Sequence, residues 1–145
     1  MIWFMATRTT GDPVIVRVTE EYHISEARQR ARSMAEAIGF KPVTTFQIMT
    51  SVSELGNNLL FHANHGGTIT LAPLMQNNKV GIEIIAEDEG PGIEDVTLAL
   101  QDGFSTNRGL GGGLPGIKRL MDELEITSTV GTGTLVITRK WKICE

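Results

Sequence analysis

Glu54 and Asn58 stand four residues apart in a stretch that reads as helix, so a carboxylate and a carboxamide project from one helical face. Asn57 is adjacent, and His62 lies one further turn along. An asparagine pair gains nothing inside a helix, because its side chains compete for local backbone hydrogen bonds. That cost implies a use: the amide oxygen is a hard ligand suited to Mg²⁺, and a neighbouring glutamate can take a proton from a nucleophile. The plainer alternative is a solvated helix face. Further on, Asp88 closes an apolar run and enters Glu89-Gly90-Pro91-Gly92. A carboxylate at a strand terminus can accept a hydrogen bond from an exocyclic amine such as that of adenine, while Gly90 and Gly92 let the backbone turn beneath a flat ring. Taken alone, those residues are simply a turn.

A third segment, Gly109-Leu110-Gly111-Gly112-Gly113, leads into a helix entered at Leu114. Glycines permit close backbone approach, and the free N–H groups of a helix start attract phosphate. No Gly-Lys-Ser/Thr follows, so this is not a Walker A loop, and it lacks the strand-to-helix position of a dinucleotide fingerprint. Arg108 in the loop is a better candidate for neutralising phosphate than Lys118 or Arg119, which read as solvated. Other chemistries are poorly supplied. His23, His62 and His65 have no metal-ligand spacing, and the single cysteine, Cys144, makes no zinc cluster. Ser51 and Ser53 lie near Glu54 without a Gly-x-Ser-x-Gly elbow or a histidine partner.

The elements that must hold these groups follow from periodicity. Val14–Val18 reads as a strand from its β-branched content. A helix over 24–38 carries the apolar stripe Ala27, Ala31, Met34, Ala35 and Ile38 and ends at Gly39. A second helix runs from Pro42 to about His62, with Phe46, Met49, Val52, Leu55 and Leu59 on its expected buried side. Strands over 68–74 and 79–87 form a hairpin around Gln76-Asn77-Asn78. A short helix is expected over 94–100 and another over 114–121, with Pro115 in its first turn. A terminal hairpin joins 124–130 to 134–143 across Gly131-Thr132-Gly133. The order predicts an α+β two-layer sandwich, a mixed, mainly antiparallel sheet covered on one face by helices.

Bulk properties are those of one domain of 145 residues, 41% hydrophobic and 21% charged. Residues 13–145 are expected to form that domain, behind a flexible N-terminal arm over 1–12. A net charge of -4 gives no support to a nucleic-acid or anionic-membrane partner. No apolar run reaches a membrane span, Met1-Ile2-Trp3-Phe4-Met5 lacks the features of a secretory signal, and one cysteine suits a reducing compartment. A cytoplasmic location is expected.

Together these residues carry a resemblance. Glu54-Leu55-Gly56-Asn57-Asn58 resembles the N box of the GHKL (Bergerat-fold) ATPase superfamily, Asp88-x-Gly-x-Gly its G1 box, and the loop to Leu114 its G2 box. Asp102-Gly103-Phe104-Ser105-Thr106 and the run from Gly109 to Glu123 are similar to the RsbT-like group of bacterial serine/threonine kinases, which are related to anti-sigma factors and act with stressosome proteins. The resemblance covers about Val14 to Trp141. It implies that Glu54 is the general base and that Asn58 coordinates Mg²⁺ bridging the ATP phosphates. It implies further that Asp88 binds the adenine amine beside Gly90 and Gly92, and that Thr134 supports the adenine end. Gly109, Gly111 and Gly113, up to Leu114, would form a lid over the phosphates. The implied substrate is a serine or threonine of a STAS-domain protein (antagonist or scaffold), and the implied downstream partner is a PP2C-type phosphatase. A sigma-sequestering anti-sigma factor and a nucleotide-regulated adaptor are the alternatives. The longer N-terminal arm and Asn107-Arg108 in the lid depart from the group's pattern.

Overall fold

The computed structural model describes residues 8–62, 66–88, 113–131 and 133–144. The sheet is built from β1 (Arg8–Thr9), β2 (Val14–Val18), β3 (Gly67–Gln76), β4 (Lys79–Asp88), β5 (Glu123–Thr129) and β6 (Gly133–Ile143). Its order is β1-β3-β4-β6-β5, and β2 also pairs with β3. β1 and β2 therefore share the outer edge of β3, one meeting Leu74–Met75 and the other Gly67–Leu71. Every pairing among the described residues is antiparallel. The expected helix over 94–100 lies outside the described residues.

Three helices complete the described chain: α1 (Glu21–Ile38), α2 (Pro42–His62) and α3 (Leu114–Leu120). α1 starts three residues earlier than the apolar stripe predicts. The reason is a cap: His23 Nδ1 accepts the Glu20 and Thr19 N–H groups, both at 3.1 Å, which extends helical geometry ahead of the first buried residue, Ile24. Gly39 closes the helix at φ 104°, where its N–H donates to Ala35 and Glu36 carbonyls.

Alternation decides which sheet face the helices cover. Ile69, Leu71, Ile82, Ile84 and Ala86 turn inward with Val16, Val18 and Val136, and join Ala27, Ala31, Ala35, Ile48, Val52, Leu55, Leu59 and Ile117 in one core. Of the five α2 residues expected inside, Val52, Leu55 and Leu59 are buried and Met49 is half-buried, but Phe46 is 57% exposed. The buried stripe is instead centred on Thr45, Ile48, Val52 and Leu55, and Phe46 sits about 100° round the helix from Thr45. Part of the expected N-terminal arm belongs to the sheet: Arg8 pairs with Met75, Thr9 with Leu74, and the Thr10 N–H donates to the Pro73 carbonyl at 2.9 Å. The exposed edge of β3 supplies the unpaired groups that draw it in.

The opposite face of the sheet carries no described helix. There Arg139 pairs with Glu83 and Glu123, both at 2.8 Å, and Lys79 lies 4.6 Å from the Trp141 ring centroid. Among the described residues no helix is long and apolar enough to cross a membrane.

Candidate active site

Glu54 projects from the middle of α2 and is 1% exposed. A carboxylate taken out of water needs compensating donors. One comes from far along the chain: the Gly113 N–H donates to Glu54 Oε2 at 3.0 Å. Gly113 is the N-cap of α3, with φ 74° and ψ -145°, a conformation that excludes an ordinary side chain. The contact thus joins the middle of α2 to the start of α3. Ser51 and Ser53 donate to the Gln47 and Met49 carbonyls within α2, so the helix itself uses their hydroxyls.

Gly56 explains how α2 can carry this group against α1. A Cβ at position 56 would lie 2.8 Å from Ile24 Cγ1, so glycine lets α1 pack closely on the side of α2 turned away from Glu54 and Asn58. Asn57 and Asn58 are half-buried. At the other end of α2, Leu59 packs where a Gly67 side chain would project, and Gly67 pairs with Asp88 at the end of β4.

Asp88 is half-buried, and its Oδ1 accepts the Thr134 N–H at 3.3 Å. Thr134 lies in β6 directly opposite Ser128 of β5, and their hydroxyl oxygens are 3.0 Å apart. The structure therefore joins Glu54 with Gly113, and Asp88 with Thr134. Leu114 is 6% exposed and belongs to the core, so only its main chain is available to a ligand. Gly90, Gly92, Gly109 and Gly111, with Arg108, lie outside the described residues. Lys118 and Arg119 are exposed on α3. Sequence reading met Gly56 only as one letter of a motif, without a role, and missed Ser128. The register of the β5–β6 hairpin, counted back from Gly131-Thr132-Gly133, was the signal that could have placed Ser128 against Thr134.

Residues 16–140 match the Histidine kinase-like ATPase domain family. The chain belongs to that family. It is 45% identical over 131 residues, 90% of this chain and 98% of the relative, to the serine/threonine-protein kinase RsbT of Bacillus subtilis. It is also 44% identical over 99 residues, 65% of this chain and 68% of the relative, to the anti-sigma F factor of Caldanaerobacter subterraneus. Among solved structures, the RsbU and RsbW domains of Rv1364c from Mycobacterium tuberculosis superpose with a TM-score of 0.59 at 19% identity, covering 93% of this chain and 34% of that one. The mycobacterial sensor histidine kinase MprB superposes at 0.54 and 15% identity, covering 92% and 99%. Those two likenesses bear on the fold alone. The kinase likeness spans nearly the whole of both chains, so the enzyme is a nucleotide-using protein serine/threonine kinase of the RsbT kind, working with protein partners.

Proposed function

We propose that this kinase transfers the γ-phosphoryl group of ATP to a serine or threonine of a STAS-domain partner, with Glu54 as general base. The observation that carries this reading is the buried Glu54 carboxylate, fixed by the Gly113 amide at the start of α3. A base must be oriented before the substrate hydroxyl arrives, and a main-chain donor on a helix start orients it without a mobile side chain. The hydroxyl proton passes to Glu54 as the oxygen attacks phosphorus, and ADP leaves with the electron pair of the broken P–O bond. Asn58, one turn from Glu54, offers a neutral oxygen of the kind Mg²⁺ takes. Asn58 would be the side chain that holds the ion, which when bound would neutralise phosphate charge. Asp88, held by the Thr134 amide, receives the adenine amine, and Gly90, Gly92, Gly109 and Gly111 complete the nucleotide site.

On this reading the kinase is cytoplasmic, and leaving its STAS partner frees it to activate a PP2C-type phosphatase. Incubation with ATP, Mg²⁺ and the cognate STAS protein should label a serine or threonine, and Glu54→Gln should abolish the label. Equal labelling by wild type and Glu54→Gln would sink the assignment of the base. Recovery of a sigma subunit instead of STAS proteins in a pull-down would favour the anti-sigma reading, which the anti-sigma F relatives keep in view.

A further inference from the structure

Thr134 is engaged through both of its polar ends. Its main-chain N–H donates to Asp88 Oδ1, and its hydroxyl lies 3.0 Å from Ser128 Oγ across the β5–β6 ladder. Ser128 Oγ also lies 3.3 Å from the Gly133 carbonyl oxygen. A carbonyl can only accept, and each hydroxyl has one proton to donate. One arrangement of protons makes both bonds: Ser128 donates to Gly133 and accepts from Thr134. The Thr134 hydroxyl then presents only lone pairs to anything else, as the carboxylate oxygens of Asp88 do.

We propose that Ser128 is a specificity-determining positioning residue, which makes the Asp88–Thr134 end of the site acceptor-only by taking the Thr134 proton. An acceptor-only end matches a purine that carries a 6-amino donor. It opposes a 6-oxo purine seated the same way, with its 6-position at this end, whose carbonyl would meet lone pairs with no proton between them. The inference rests on the reading that Asp88 and Thr134 receive the nucleotide base. Neither the kinase family nor the general-base role of Glu54 requires Ser128, because its hydroxyl acts through Thr134 rather than on the reacting atoms.

The test measures ADP and GDP binding to the full chain by calorimetry, with the melting temperature of each variant taken alongside. Wild type should prefer ADP. Ser128→Ala frees the Thr134 hydroxyl to donate, and the ADP:GDP preference should fall about tenfold, with Ser128→Thr restoring it. In a Thr134→Val background, Ser128→Ala should change the preference no further, whereas a merely structural hairpin role would add to it. Should Ser128→Ala melt too low to study, Ser128→Cys, with its weak thiol donor, should show the same loss of preference. An unchanged preference in a folded Ser128 variant, while Asp88→Asn still weakens ADP binding, overturns the role of Ser128 alone. If Asp88→Asn leaves ADP binding as it was, Asp88 does not read the base, and both inferences fall.

Discussion

The two ends of the site solve the same problem with different elements. Glu54 sits in the middle of a helix, 1% exposed, and takes its donor from Gly113, 59 residues away. Asp88 sits at the last position of a strand, half-buried, and takes its donor from Thr134, 46 residues away. In both, a main-chain N–H beside a glycine meets a carboxylate on a regular element. The Glu54 contact is buried and 3.0 Å long, so burial and helix packing hold it. The Asp88 contact is 3.3 Å and only partly buried, and the register of β4 against β6 and of β6 against β5 holds it. The difference suits the proposed roles, since a base is best kept from water and fixed in direction, whereas a group that reads a ligand must stay accessible to it.

The sharpest way to separate the ends is to neutralise each in turn. Glu54→Gln should lower the phosphoryl-transfer rate by about 10² to 10⁴ while leaving the nucleotide Kd nearly unchanged, measured by phosphate incorporation and by ADP titration. A large rise in Kd for that variant would mean the two ends do not work separately. Asp88→Asn should do the reverse, raising the nucleotide Kd by more than about tenfold, with much of the rate recovered at saturating ATP. Loss of rate that saturation cannot restore would place Asp88 in the chemical step.

Smaller effects probe how each end is held. Gly113→Ala forces a side chain into φ 74°, ψ -145°, and should cost about 1–3 kcal/mol by thermal unfolding, together with a fall in kcat from the disturbed Glu54 contact. A variant that loses stability but keeps kcat would show that the Gly113 amide does not orient the base. The smallest effect belongs to the far face of the sheet. Burial pushes the Glu123 carboxyl up, but hydrogen bonds from Arg139 and the Trp141 indole, with the charges of Arg139 and Lys79, together bring it below its ordinary 4.5. A lowered carboxyl stabilises the fold above its unfolded value, and that stabilisation is lost as pH falls through the folded one. Because the side chain is 40% exposed, solvent screening limits the contribution to about 0.5 kcal/mol. Glu123→Gln should therefore lose a little stability at pH 7, lose less below about pH 4.5, and leave kinase activity intact. Denaturant unfolding at both pH values would check it.

What could be read in advance divides along the same line. α2 was legible over its whole length, because Pro42 marks its start and its apolar residues repeat at helical spacing. β4 was legible to within a residue at one end, since Ile82, Ile84 and Ala86 alternate with outward residues. Phe46 was misplaced because periodicity fixes the width of a stripe better than its centre, and the helix turns to bury Thr45 and Ile48 instead. Arg8–Thr9 was missed because two residues of pairing carry no pattern of their own, only an available edge on β3. Gly56 could be seen as part of a motif, but its reason is Ile24 of another helix.

The order of residue types, the helix that puts Glu54 and Asn58 on one face, and the strand that ends at Asp88 were all legible in the chain, since these depend on local periodicity and on residues with few conformational choices. That Gly113 closes on Glu54, Thr134 on Asp88, and Ser128 on Thr134 emerged from the folded arrangement alone. Those contacts join residues distant in the chain or set by strand register, and such meetings depend on how the layers pack rather than on any local preference.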